Sequence, residues 1–298
     1  MAGKLRVIRR RIRSVQSTKK ITRAMELIAA SRIVRAQQRV EAARPYAEQI
    51  SNVIANLAAA GAGGDHPLLR EPESVQRVGY VVVTSDRGLA GGYNANVLRA
   101  AEVDLRADLD AGRQYSLVTV GRKAQGFFRY RQYDIAASYT GMSDLPTYED
   151  AREVAGEVLR VFEAGEVDIV KVAYTRFLSA GTQRATVARL MPVEAPTAAE
   201  AAEAGPAPDY EFEPNPGAIL ERLLPRYVEA RMFAFMLEAS ASEHAARQRA
   251  MKSATDNADD LIKTLTRVAD QARQDEITTE IMEIVGGAEA LRQAASRS

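Results

Sequence analysis

Three glycines, Gly88, Gly91 and Gly92, lie in the stretch SDRGLAGGYN, between the β-branched run Val78–Thr84 and a segment with helical spacing. Backbone N–H groups at the start of a helix, bared by glycine, are how α/β proteins cradle phosphate. The spacing here is not G-x-G-x-x-G, and no G-K-[ST] follows, so phosphate binding is not specified. A turn leading into a helix capped at Asn94 also accounts for the glycines. That reading leaves Asp86 and Arg87, at the end of the strand, without a role. Other chemistry is poorly supplied. Cysteine is absent, which excludes disulfides and thiolate metal sites. The two histidines do not cluster: His66 falls in a loop, and His244 falls on an apolar helix seam, as a packed structural residue would. No Ser, His and Asp assemble into a nucleophilic set, so no catalytic residue, cofactor or metal is expected.

Glycines so placed require an α/β frame, and the totals permit one. The chain has 298 residues, enough for one large domain or two ordinary ones, and 46% of them are hydrophobic. Aromatics are only 6%, with no Trp, while alanine is abundant, which favours helix over an all-β fold. No apolar run is long enough to span a bilayer. The basic start MAGKLRVIRRRIRS leads into polar sequence and does not read as a secretory signal. The net charge of +1 conceals an asymmetry. Residues 1–50 carry thirteen Lys or Arg against Glu26, Glu41 and Glu48. Such a stretch is either the solvated face of a long helix or a surface that meets acidic partners.

Heptads organise both ends of the chain. One series runs Leu5, Ile12, Lys19, Glu26, Ile33, Val40, Ala47, Ile54, and its companion runs Ile8, Val15, Thr22, Ala29, Ala36, Ala43, Ile50, Leu57. Only Lys19, Thr22 and Glu26 interrupt an apolar coiled-coil seam, and Pro45 is expected to bend the helix locally. The C-terminal third repeats the pattern from Leu223 through His244, Met251 and Leu265 to Ala272, with Tyr227, Thr255 and Ile262 in its companion series. Two such helices in one chain pair most simply antiparallel. At 1.5 Å per residue they are roughly 80 and 105 Å long. With Leu57 near Leu220, Leu5 faces the region of Ala272. Everything from Arg273 onward then lacks an internal partner, yet Ile277, Ile281, Ile284 and Val285 keep an apolar stripe there. Gly286–Gly287 is expected to stop the helix.

Between the helices, residues 75–192 alternate strands and helices. Strands are expected at Arg77–Thr84, Tyr115–Val120, Ile135–Tyr139, Asp168–Thr175 and Thr182–Leu190. Helices are expected after Asn94 to about Asp110, over GRKAQGFFRYR, and at Tyr148–Phe162. The last two strands form a hairpin around Gly181. The fold class is therefore α/β plus a long antiparallel coiled coil, with an inserted Rossmann-like α/β/α domain whose mixed sheet has one antiparallel edge. The expected divisions are residues 1–60, 75–192, an acidic Pro/Ala-rich linker at 193–216, and 217–287.

The stretches KKITRAMELIAASR, SDRGLAGGYN, MKSATDNADDLI and ARQDEITTEIMEIVGGA together resemble the gamma-subunit family of the F-type ATP synthases. The resemblance covers nearly the whole chain in order and lapses mainly at residues 193–213. It implies the architecture reached from periodicity, a coiled coil carrying a small α/β domain. It also implies a non-catalytic central-stalk rotor that couples proton flow through a membrane ring to ATP synthesis or hydrolysis. The implied partners are the alpha and beta subunits of the catalytic head, the epsilon subunit and the ring of c subunits. One gamma would serve each complex, peripheral to the cytoplasmic face of a bacterial membrane, with no nucleic acid. In that family the arginine of S-D-R-G-L lies near an acidic loop of the catalytic beta subunits, and Arg87 stands at that place here. The resemblance further implies that Met25, Arg273, Gln274, Thr278 and Glu280 face the catalytic ring. Many relatives carry Cys where this chain has Ala90, so no thiol chemistry is required at that position.

Two rival functions make different demands. A nucleotide-binding enzyme with a helical arm would explain the insert, would leave the apolar overhang idle, and predicts saturable nucleotide binding. A nucleic-acid binder would explain the basic start and predicts retention on DNA that falls steeply with salt. Neither accounts for all four stretches.

Overall fold

The computed structural model describes residues 2–57, 66–193 and 215–295; the expected linker falls almost entirely outside them. Helix α1 spans Ala2–Leu57 and α5 spans Pro216–Ala295. Between them come β1 (Arg77–Val83), α2 (Tyr93–Asp110), β2 (Gln114–Val120), α3 (Arg122–Tyr130), β3 (Ala137–Tyr139), α4 (Tyr148–Glu163), β4 (Ile169–Phe177) and β5 (Gln183–Met191). Packing divides the chain into two units: residues 29–248, and residues 1–28 with 249–298.

In the unit of residues 29–248 the sheet has the order β3-β2-β1-β4-β5. All its pairings are parallel except β4 with β5, the expected antiparallel hairpin. Side chains alternate between the two faces of a strand. Val78, Tyr80 and Val82 therefore share one core with Val97, Ala101 and Leu105 of α2 and Phe128 of α3. Val81 and Val83 enter the other core with Val154 and Val158 of α4. Ile50, Ile54 and Leu57 of α1 and Leu220, Leu224 and Met232 of α5 belong to this second core. With both faces covered, a central strand such as β1 must be apolar almost throughout, which is why Val78–Val83 reads as a continuous run.

Local chemistry sets the helix starts. Thr147 and Asp150 form a reciprocal capping box at α4: the Thr147 side chain accepts from the Asp150 N–H, and the Asp150 carboxylate accepts from the Thr147 N–H. Gly121 precedes α3 with φ +93°, and a Cβ there would stand 2.3 Å from the Thr84 carbonyl oxygen, so only glycine fits.

In the other unit the two helices pack antiparallel along the heptad seam. Leu5, Ile8, Ile12 and Val15 are partly buried between exposed neighbours. The three residues that interrupt the seam are accommodated by polar contacts. Thr22 and Thr255 are buried and share a hydrogen bond of 2.8 Å between their hydroxyls. Lys19 pairs with Asp259, and buried Glu26 is held by Arg23 at 2.9 Å. Thr22 lies seventeen residues inward from Leu5, as Thr255 does from Ala272, so their contact has the register expected from the heptads.

Two expectations change. The helix does not stop at Gly286–Gly287, because α5 runs on to Ala295. Glycine lowers helix propensity by about 1 kcal/mol but ends a helix only where it turns left-handed. α1 continues through Pro45, and α5 through Pro225. Asn94 is not the cap of α2, which begins at Tyr93 after Gly92.

Candidate functional site

The glycine loop is organised by its polar residues. The Asn94 side-chain oxygen accepts from the Ser85 N–H at 3.0 Å and from the Ser85 hydroxyl at 2.9 Å, which takes it away from the helix end. The Asp86 carboxylate accepts from the N–H groups of Gly141 (2.9 Å), Arg122 (3.1 Å) and Ser143 (3.2 Å). Burial works to raise the Asp86 pKa, but these backbone donors outweigh it and hold it below the usual carboxylate range. Asp86 thus ties the end of β1 to the loop after β3. Leu89 (φ +64°) and Gly91 (φ +56°) turn left-handed, Ala90 is buried between them, and Leu89 is exposed. Arg87 is exposed, and among the described residues its guanidinium has no hydrogen-bond or ion-pair partner.

In a sheet of this kind, small ligands enter at the carboxyl ends of the strands where the strand order reverses, here between β1 and β4. That place is filled by α5. Arg247 donates to the Gly88 carbonyl at 3.3 Å, beyond β1. At the end of β4, the Ser242 hydroxyl donates to the Thr175 carbonyl at 3.0 Å, and the Phe177 N–H donates to Glu238 at 3.0 Å. Arg247 is held in turn by Glu243 at 2.6 Å, both largely buried. Burial pushes Glu243 up while Arg247 pulls it down. The helix bonds to the backbone groups that a ligand would otherwise meet.

A clamp that sequence reading missed joins the loop after β3 to both long helices. Asp144 is paired with Arg32 of α1, and Arg39 donates to the Pro146 carbonyl. On α5, Ser240 donates to the Asp144 carbonyl at 3.1 Å, and the same oxygen lies 3.1 Å from His244 Nε2. His244 is buried, as a seam residue should be, and burial lowers its pKa despite Asp144 nearby. His66 Nδ1 accepts from the Leu68 N–H at 3.2 Å, a local loop contact. The loop GMSDLP carries no periodic signal, so only the folded chain shows what its Asp144 and Ser143 hold.

In the unit of residues 1–28 and 249–298, Met25 is partly buried beside the seam. Arg6, Arg9 and Arg13 surround a groove over Leu5 and Ile12, closed by Glu276 of α5. Pairing therefore reaches Glu276, and past Thr279 the described side chains are exposed. Ile277, Ile281, Ile284 and Val285 are 48%, 55%, 72% and 59% exposed, an apolar stripe with no cover among the described residues. Arg273, Gln274, Thr278 and Glu280 are exposed on the same stretch. Met25 and these four belong to one unit and Arg87 to the other. No helix among the described residues is long and apolar enough to cross a membrane.

Comparison with known proteins adds an independent line. The sequence model of a family described as ATP synthase matches residues 4–291. The ATP synthase gamma chain of Frankia casuarinae is 54% identical over 295 residues, covering 98% of this chain and 99% of that one. Among solved structures, a chain of the Euglena gracilis mitochondrial ATP synthase (OSCP/F1/c-ring) is similar with a TM-score of 0.66 at 15% identity, over 98% of this chain and 95% of that one. A chain of the Tetrahymena thermophila mitochondrial ATP synthase (central stalk/c-ring) gives a TM-score of 0.60 at 23% identity, over 78% of this chain and 99% of that one.

Proposed function

The chain belongs to the ATP synthase gamma-chain family, and we propose that within the complex it is turned as a shaft by a proton-driven ring of c subunits. As a gamma chain it is a non-catalytic subunit of that synthase, the central stalk of its rotor. The observation that carries the proposal is the apolar stripe at Ile277, Ile281, Ile284 and Val285, which continues after the paired seam has ended. Exposed apolar surface of this kind is costly unless a partner covers it, and a ring of alpha and beta subunits around the helix end supplies one. Met25, Arg273, Gln274, Thr278 and Glu280 then face that ring, and Arg87 approaches an acidic loop of a beta subunit. Helices α1 (Ala2–Leu57) and α5 (Pro216–Ala295) form the shaft. The epsilon subunit and the ring of c subunits are its other partners, and residues 193–216 link the insert at 75–192 to the shaft. One copy serves each complex, peripheral to the cytoplasmic face of a bacterial membrane.

Because the shaft presents a different face to each of three catalytic sites, turning it changes which site is closed. Driving a two-state site from 1:99 to 99:1 takes about 5.5 kcal/mol. One exposed ion pair supplies about 0.2–1 kcal/mol. Arg87 therefore orients the shaft, while bulk along the helix pair carries most of the torque.

Two variants test this. A chain ending at Ala272 keeps its seam and insert folded but loses assembly or coupling in the reconstituted complex. Arg87→Glu leaves the fold intact and weakens ATP-driven proton pumping in membranes. Full pumping by both variants refutes the shaft assignment.

A further inference from the structure

A groove in the unit of residues 29–248 is not accounted for by any contact described above. It has a volume of about 1050 Å³ and lies along Val40–Asn52 of α1, facing Arg231–Glu238 of α5, with the β4–β5 hairpin at its wall. Its floor is the buried pair Val40 and Leu237, its accessible apolar lining is Ala43, Ala47 and Ala234, and Leu178 at the hairpin is 49% exposed. Three arginines from three different elements line it: Arg44 of α1, Arg176 of β4 and Arg231 of α5. Among the described residues none of the three has a carboxylate within ion-pair distance, unlike Arg226 and Arg247 on the same long helix, which pair with Glu229 and Glu243. Arg231 is held in place by the Phe235 ring, with its guanidinium carbon 5.1 Å from the ring centre. The one acid in the groove, Glu238, does not neutralise them. Its carboxylate is committed to the Phe177 N–H, and burial raises its pKa against the pull of that bond and of Arg176, Arg44 and Arg231.

We propose that this groove is a docking site for an acidic amphipathic helix of a partner subunit, whose carboxylates pair with Arg44, Arg176 and Arg231 while its apolar side lies on Ala43, Ala47, Ala234 and Leu178. The chemistry excludes simpler occupants. A small anion would satisfy the guanidiniums but would leave most of the volume and the apolar lining empty. A purely apolar segment would bury three unpaired charges, which is costly. The groove follows α1 for twelve residues, about 18 Å, which accepts roughly three turns of helix. Arginine is suited to the role because its planar fork pairs bidentately with carboxylate. The inference rests on the groove; the family reading only says which complex to search for the partner.

The absence of cysteine makes the test direct. Ala47→Cys places the only thiol of this chain in the groove. The purified variant is labelled with benzophenone maleimide, assembled with the other subunits and irradiated, and the cross-linked peptide is sequenced. A single dominant peptide is expected, with carboxylates and apolar residues at helical spacing. Its yield falls about tenfold or more when Arg44, Arg176 and Arg231 are all changed to Gln, and falls with added salt. Arg184→Gln, on β5 outside the groove, leaves the yield unchanged. If the triple variant fails to assemble, each single variant lowers the yield about threefold. A neutral or basic cross-linked peptide, or a yield indifferent to the arginines, overturns the proposal. So does equal cross-linking in the free chain to its own acidic stretch at residues 194–214, which would assign the groove to this chain itself. Normal assembly with no cross-link rejects the groove while leaving the shaft reading intact.

Discussion

The same two helices are packed differently in the two units. Within residues 29–248, α5 is buried around most of its circumference: Val228, Met232, Phe235, Met236, Ala239, Ser242 and Glu243 do not share one narrow stripe, yet all are buried. The sheet, α4 and the loop after β3 cover the sides that α1 does not. From Arg249 onward, burial is confined to Met251, Thr255, Ala258 and Ala269, the one-sided pattern of a two-stranded seam. A heptad specifies one contact line only. Further stability must come from other neighbours, and among the described residues the second unit has none on its outer face.

The largest expected effect tests this contrast. Leu237 is 2% exposed in the first unit, while Leu265 lies on the thin seam and is partly exposed. Leu237→Ala should cost about 2–5 kcal/mol in urea unfolding monitored by amide exchange of residues 29–248. Leu265→Ala should cost about 1 kcal/mol or less, read from exchange of residues 249–272. Equal losses would mean that the two stretches are not differently packed.

Acid should act selectively on the first unit, through Asp86. Its folded pKa is depressed, so its contribution to stability is complete above the ordinary Asp value of about 3.9 and is lost as the pH falls through the lower folded value. Asp86→Asn should remove that acid-dependent step and should destabilise the unit at neutral pH by about 1–3 kcal/mol, because three backbone donors lose a charged acceptor. An unchanged acid profile in the variant would assign the transition to other carboxylates.

A smaller effect belongs to the seam itself. Thr22→Val or Thr255→Val alone removes the contact between the hydroxyls, while the remaining hydroxyl still donates to the Lys19 or Met251 carbonyl of its own helix, so each should cost about 0.5–1.5 kcal/mol. The double variant should be nearly neutral, since neither hydroxyl remains. If the single costs add in the double variant, the pair is not coupled, and the register drawn from it loses its support.

That register was legible because burial follows period: Leu5, Ile12 and Thr22 fall on one face whatever the tertiary context. The strands of the insert were equally legible from their β-branched runs, with ends displaced by a residue or two. What failed was local. Asn94 has the chemistry of a helix cap, but Ser85, nine residues away, offered it a better partner. Gly286–Gly287 has the composition of a stop, yet composition alone does not turn a backbone left-handed. The Asp144 clamp and the Arg44, Arg176 and Arg231 groove were illegible, because each unites residues about fifty to two hundred positions apart whose types carry no periodic mark. Of the candidate functional residues, Arg87 was the most readable, since no turn or cap required an arginine there.

The smallest expected change in stability is also the most discriminating for function. Ile281 is 55% exposed, past the end of the paired seam, so Ile281→Ser should alter the stability of the free chain by no more than about 0.5 kcal/mol. In the free chain, amides beyond Thr279 should exchange rapidly, because the helix there has no packing partner among the described residues to hold it closed. Assembly should then protect residues 280–285, and Ile281→Ser should weaken that protection together with coupling. High protection of these amides before assembly would mean that the stripe already has a cover within the chain. In that case the seam continues beyond Glu276, the helix end is no longer free to enter a ring, and the contrast between the two units fails where it is sharpest.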